Sequence, residues 1–256
     1  MGADQHVGWP AAAASLIDWW VEAGLDTLVN DGVRDWLAPP AAQMPVAPVL
    51  PTPSVTTLPA AALPADWAAF ATWRCGQDAP EAGWPGGWIA ASGPEHAHLM
   101  VLADCPDRDD LRADPCSLLS GGAGRLLDRM LAAIGLARED VHLAAVCAKR
   151  PVAGRLPPEA TARLAEVALH HVALVRPRAV LLLGNAASRA VLAMDAREAR
   201  GRLHLLNHDP GQGAEPLREQ TRVIASHHPR FLLERPSLKA DAWSDLRALK
   251  GAMEIE

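Results

Sequence analysis

The chain has no tyrosine and only two phenylalanines, Phe70 and Phe231, so its aromatic surface rests on 9 tryptophans. Cysteine is scarce too. Cys75, Cys105, Cys116 and Cys147 stand far apart with no Cys-x-x-Cys pair, which argues against a zinc ribbon or a disulfide framework and fits a reduced intracellular setting. Basic charge is in deficit, with Lys+Arg 24 against Asp+Glu 30 and a formal charge of −6. Non-specific coating of nucleic acid draws its affinity from counterions displaced at a basic surface, so that class is disfavoured, although a local basic groove is not. No apolar run is both long and free of proline. Residues 37–65 carry no charge but hold Pro39, Pro40, Pro45, Pro48, Pro51, Pro53, Pro59 and Pro64, which would strip hydrogen bonds from a helix in lipid, so no membrane span is expected. The N-terminus shows no basic region leading into an apolar core, and a cytoplasmic protein is expected.

What is present is an ordinary globular composition, 50% hydrophobic and 21% charged over 256 residues, enough for one sizeable core plus an appendage. In residues 9–36, Ala12, Leu16, Trp19, Trp20, Leu25, Leu28, Val29 and Val33 recur as one face of a helix interrupted at Gly24. Residues 1–36 therefore read as a helical extension and residues 37–65 as a semi-rigid Pro/Ala linker. Residues 66–256 read as the main domain.

There, short continuous apolar runs alternate with helical patterns. Strands are expected at 98–103, 141–147, 179–183 and 222–226, and helices at 124–136, 158–175, 186–193 and 239–253. Such alternation implies a three-layer α/β/α fold around a central parallel four-stranded sheet buried on both faces. Ligands of such folds bind at the carboxyl ends of the strands, which brings the loops beginning at Asp104, Cys147, Gly184 and His227 around one crevice. The first loop is acid-rich, with Asp104, Asp107, Asp109 and Asp110. Those carboxylates could be a general base, a metal site or a solvated turn. The last loop sets His228 against Pro229 and an apolar segment. Its imidazole is either structural or catalytic.

The order of these pieces resembles the uracil-DNA glycosylase superfamily, and within it the bacterial iron–sulfur branch, the type-four enzymes. Ala103-Asp104-Cys105-Pro106-Asp107 stands where that branch has Gly-Glu-Ala-Pro-Gly, and residues 119–128 (LSGGAGRLLD) match its following turn and helix. Residues 176–184 (RPRAVLLLG), Arg200-Gly201-Arg202 and residues 228–234 (HPRFLLE) match its later strand, turn and His-Pro loop. The likeness runs over residues 97–250. It implies a site in which the target nucleotide is flipped from the stack and a uracil anion leaves an oxocarbenium-like sugar. His228 would hydrogen-bond the departing carbonyl, while Asp104 and Asp110 would orient water and stabilise the cation. Residues 229–233, with Pro229, Arg230, Phe231 and Leu232, would form a minor-groove wedge, and Arg202 would contact DNA.

The departures are as informative. Leu119 takes the place of the family's base-stacking aromatic, and Ala144 or Ala145 that of its base-reading asparagine, with Asn185 or His227 as substitute readers. Stacking on a base is worth about 1–3 kcal/mol, of which leucine recovers part. An alanine reads no polar edge. The branch's third and fourth cluster cysteines correspond to Lys149 and a position near Leu164, so no iron–sulfur cluster is expected and no metal or other cofactor is called for. DNA, single-stranded or a damaged duplex, is the expected partner of a monomeric protein. Three functions stand open: a divergent glycosylase, a DNA-binding or protein-interaction module that has lost catalysis, and an unrelated hydrolase using Asp104 and His228. A groove lined by Arg108, Arg125, Lys149, Arg150, Arg202 and Arg230 would favour DNA.

Overall fold

A computed structural model of the chain describes residues 62–206 and 220–254. The helices expected in residues 9–36 and most of the Pro/Ala linker lie outside the described residues. Chain order begins with α1 (Trp67–Arg74), whose first turn is capped by Asp66 accepting from the Ala69 amide at 2.9 Å. There follow β1 (Leu99–Ala103), α2 (Arg108–Arg112), α3 (Gly121–Ala133), β2 (Val141–Ala145), α4 (Pro158–Val175) and β3 (Ala179–Leu183). The chain continues with α5 (Asn185–Leu192), α6 (Ala196–Ala199), β4 (His204–Leu206), β5 (Thr221–Ser226), α7 (Pro229–Glu234) and α8 (Lys239–Glu254). Helix α4 starts on Pro158, whose missing N–H costs nothing in a first turn, and stops where Arg176 turns left-handed before Pro177.

The sheet has five strands in the order β2-β1-β3-β5-β4. The first four are parallel, in register Ala103↔Ala145, Ala103↔Leu183 and Leu183↔Ser226, as the apolar runs predicted. The fifth strand is a correction to the four-stranded reading. β4 runs antiparallel to β5, pairing His204 with Val223 and Leu206 with Thr221, and a three-residue edge strand is too short to leave a periodic signal.

Alternation along the strands decides which layer each residue joins. Leu99, Val101, Leu143, Leu181 and Ile224 face α3 and α8, meeting Leu127, Leu131, Leu246 and Leu249. Met100, Leu102, Ala144, Leu182 and Val223 face α4 and α5, meeting Leu164, Val172, Ala187 and Val191. Both faces are dry, which is why the strands read as unbroken apolar runs. The glycine-rich stretch before α3 is not the separate turn expected from the sequence, because Gly121, Gly122 and Gly124 lie inside the helix. A Cβ on Gly124 would come within 2.8 Å of the Leu119 carbonyl carbon, so the helix can fold back on its own entry only over a glycine.

Candidate active site

The strand order reverses between β1 and β3, since the chain leaves β1 toward β2 and leaves β3 toward β5. Open α/β sheets place ligands at such a switch point. Asp104 follows β1 directly, and Gly184 follows β3. The Asp104 carboxylate sits over the first turn of α5 and its Oδ1 accepts the Ala187 amide at 2.8 Å. Burial pushes its pKa up to about 6, against the pull of the Ala187, Asn185 and Ala186 amides. Asp104 is thus held at the edge of ionisation near neutrality, as a general base requires.

His228 lies across the crevice, between β5 and α7. Its Nδ1 accepts the Arg230 amide at 3.2 Å, so in the neutral ring the proton resides on Nε2. Burial lowers its pKa to about 4, helped by the Arg230 guanidinium and opposed by Asp107. The residue is therefore a neutral hydrogen-bond donor throughout the physiological range. The strand end beneath it is anchored by Ser226 Oγ and Arg200 Nε, which both donate to Asp245 Oδ2, at 2.8 and 3.0 Å.

Asp104 and His228 share one cavity of about 110 Å³, with Cys105, Asp107, Arg150 and Arg230 among its walls. A larger cavity of about 200 Å³, between α3 and α8, is lined almost wholly by apolar groups such as Leu126, Met130 and Trp243. It contains none of the expected site residues except Leu232. A carboxylate with a raised pKa and an imidazole with a lowered one in the same cavity are suited to separate roles as base and hydrogen-bond donor.

The other expected site residues fall differently. Asp110 is 1% exposed, and its two oxygens accept the Asp107 amide at 2.8 Å and the Ser120 amide at 2.6 Å. It closes the capping box of α2 and ties that helix to the entry of α3. Leu119 has φ 52° and is buried in the layer beneath α3, where Arg138 donates to its carbonyl at 2.9 Å. Ala145 ends β2, half-buried and outside the cavity wall. Asn185 turns its Oδ1 to the Ala196 amide at 3.0 Å, toward α6. His227 Nε2 is buried without a hydrogen-bond partner, its ring 5.7 Å from that of Phe231.

Arg202 is exposed on the turn before β4. Pro229 is buried, Arg230 is exposed, and Phe231 lines the cavity. Leu232 cannot serve as a wedge as it stands, since it is 1% exposed and packs in the core, whereas Leu233 is 46% exposed. Of the six basic residues that would mark a groove, Arg150 and Arg230 line the cavity and Lys149 is buried. Asp107 and Asp110 stand at capping-box spacing ahead of a short helix, a sequence signal that assigns both carboxylates to the entry of α2.

The iron–sulfur cluster of the branch that the sequence resembles does not fit these residues. All four cysteines are among the described residues, and no three His, Cys, Asp or Glu side chains there are placed to hold a metal. Lys149, at the third cysteine's place, donates from Nζ to the carbonyls of Ala82 and Trp84, both at 2.9 Å, and lies 4.4 Å from the Trp88 ring centre. Leu164 is fully buried apolar core. Nearby, fully buried Glu81 pairs with Arg74 and accepts the Ala148 amide at 2.6 Å. The loop after α1 is thus pinned to the end of β2 by charges and carbonyls.

The fold and this site together define an α/β protein with an acid and a neutral imidazole lining one cavity at the carboxyl ends of the strands. Residues 91–247 match the Uracil DNA glycosylase superfamily, and the chain belongs to that superfamily. It is 31% identical over 166 residues to a Type-4 uracil-DNA glycosylase of Archaeoglobus fulgidus, covering 63% of this chain and 80% of that protein. A Type-4 uracil-DNA glycosylase of Pyrobaculum aerophilum is 26% identical over 164 residues, 64% of this chain and 82% of its own length. Among the described residues no helix is long and apolar enough to cross a membrane.

Proposed function

We propose that the chain is a divergent glycosylase of base-excision repair that hydrolyses the N-glycosidic bond of uracil, or another damaged base, flipped out of DNA. The observation that carries this reading is the single cavity shared by Asp104 and His228 at the switch point. The bond between sugar C1′ and the base nitrogen breaks, and the base leaves with the electron pair. His228 Nε2–H donates to the carbonyl oxygen on which that charge collects, and needs no proton of its own to give away. Asp104, ionised above about pH 6, orients a water and takes its proton as the oxygen adds to C1′. Phe231 and exposed Leu233 supply the apolar edge that enters the duplex, and Arg202 and Arg230 meet phosphates. Asp110 shapes the loop that carries Asp104 and does not act on substrate. The protein acts as a cytoplasmic monomer, on single-stranded or damaged duplex DNA, without an iron–sulfur cluster.

A second reading is a DNA-binding or protein-interaction module without catalysis. It is favoured by the absence of a base-reading amide from the cavity, where Ala145 and Asn185 offer none. Single-turnover assays on uracil-containing single strands and U:G duplexes separate the two. Excision by the full chain, lowered about 10²–10³-fold in His228→Ala and comparably in Asp104→Asn, supports the enzyme. DNA binding with no excision supports the module. Excision unchanged in His228→Ala overturns the assigned mechanism. Stoichiometric iron and sulfide in anaerobically purified protein would overturn the cluster-free reading.

A further inference from the structure

Three loops from three different strands meet at the mouth of the cavity through one carboxylate. Asp107, in the loop after β1, accepts from Arg150 Nη1 at Oδ1, 3.2 Å away, and from Arg230 Nη1 at Oδ2, 3.1 Å away. Arg150 belongs to the loop after β2 and also donates to the Pro106 carbonyl at 2.8 Å. Arg230 lies in the first turn of α7, two residues after His228, and its Nε lies 3.9 Å from Glu234 Oε1. The two guanidiniums are therefore already engaged by Asp107 and Glu234, and Asp104 is a third carboxylate in the same cavity. Asp107 is held below the usual carboxylate range: burial raises its pKa, but the Arg108 amide and the Arg230 and Arg150 guanidiniums outweigh it. The carboxylate stays charged at any pH at which the protein would meet DNA.

Two guanidiniums converging on one anion form a fork suited to bidentate phosphate recognition. The Arg230 side chain is 55% exposed, while those of Asp107 and Arg150 are 23% and 19% exposed. We propose that Arg150 and Arg230 form a phosphodiester-binding site at the cavity mouth, and that Asp107 occupies it in the free protein as an internal anion which the DNA backbone must displace. Asp107 then sets affinity: it weakens DNA binding by competition and holds the fork in shape until a phosphate arrives. An exposed ion pair such as Asp107–Arg230 is weak enough to be exchanged for a phosphate contact. The inference rests on the reading of this chain as a DNA-binding protein.

The test uses the full chain and a fluorescent single-stranded oligodeoxynucleotide containing uracil, with anisotropy read over a salt series. Asp107→Asn is nearly isosteric, and its amide oxygen still caps α2 in place of the carboxylate that now accepts the Arg108 amide. It is expected to tighten binding about tenfold at low salt, because the phosphate no longer has to displace an anion, while the slope of log K against log salt stays as in the wild type, since the same phosphate contact forms in both. Arg230→Gln is expected to weaken binding, and the double variant to gain less over Arg230→Gln than Asp107→Asn gains over the wild type, because only the Arg150 half of the fork is left to be released. Glu166→Gln, the same charge change on the exposed face of α4, is expected to leave binding as it was. Wild-type binding with Asp107→Asn equal or weaker overturns the displaced-anion site and leaves the glycosylase reading standing. An Asp107→Asn gain that persists undiminished in the double variant also overturns it. Failure of both wild type and Asp107→Asn to bind any DNA overturns the functional reading and this inference together.

Discussion

Asp104 and Gly184 occupy one space: a Cβ on residue 184 would fall 2.6 Å from the Asp104 carboxylate carbon. Gly184 has φ 112°, a conformation closed to ordinary side chains, so both strain and contact forbid a larger residue there. The expected result of Gly184→Ala is displacement of Asp104 from the α5 amides, with excision falling about 10²-fold for a shift near 1 Å. Single-turnover excision and thermal unfolding check it together. A variant with wild-type rate would show that the carboxylate position is not needed for the chemistry.

The pH dependence of excision follows from the two opposed environments. Asp104 must lose its proton to act as a base and titrates at about 6, whereas His228, at about 4, is neutral above that. Single-turnover rates are expected to rise through pH 6 to a plateau at neutrality, with no alkaline fall from the imidazole. Asp104→Asn is expected to lower the rate and remove that limb. A limb surviving in Asp104→Asn would assign it to another group.

Stability is expected to fall on mild acidification because of a buried imidazole pair. His142 on β2 and His171 on α4 face each other with their Nε2 atoms 2.9 Å apart, and His142 Nδ1 donates to the Pro94 carbonyl at 2.9 Å. Burial lowers both pKa values, and for His171 the neighbouring His142 adds to the effect. The folded state resists protons that the unfolded chain accepts below its ordinary pKa of about 6.5, so each imidazole costs stability at up to about 1.4 kcal/mol per pH unit until it takes a proton in the folded state. Asp104 opposes this by one proton between its unfolded value and about 6, and His228, lowered to about 4, adds to the pair in the same direction. Urea midpoints measured from pH 7 to 5 are expected to drop, and less steeply in His171→Leu. Equal slopes in both proteins would locate the acid sensitivity elsewhere.

The Arg74–Glu81 pair carries a larger load. Arg74 also donates from Nη2 to the Val146 carbonyl at 2.8 Å, so the pair braces the loop that leads to Arg150. Removing one partner of a buried ion pair leaves an unpaired charge and typically costs about 3–5 kcal/mol. Glu81→Ala is expected to lose stability on that scale in urea unfolding. A loss under about 1 kcal/mol would show that water reaches Arg74.

The sheet was legible because its central strands are buried on both faces and carry unbroken apolar runs. Ala179–Leu183 and the helix Pro158–Val175 coincide with their sequence-predicted bounds. β4 was not legible, because an edge strand of three residues is specified by its partner and not by its own pattern. Within the site, Asp104 and His228 followed from motif order and from the rule that loops after parallel strands converge. The pairing of Asp107 with Arg150 and Arg230, and the exposure of Leu233 in place of Leu232, did not, since each depends on neighbours distant in sequence. Leu232 and Leu233 are identical in composition and adjacent in the chain. Only the packing of α7 against α3 makes one core and the other surface.

The sequence by itself determined the alternating α/β order, the switch-point loops and the wide spacing of the four cysteines, because these depend on local patterning and on spacing along the chain. The tertiary structure alone decided the ionisation of Asp104 and His228, the structural role of Asp110 and the pairing of Asp107 with two arginines. Those properties arise from desolvation and from charges within a few ångströms, and residues as far apart as 107 and 230 reach that distance only when the sheet has assembled.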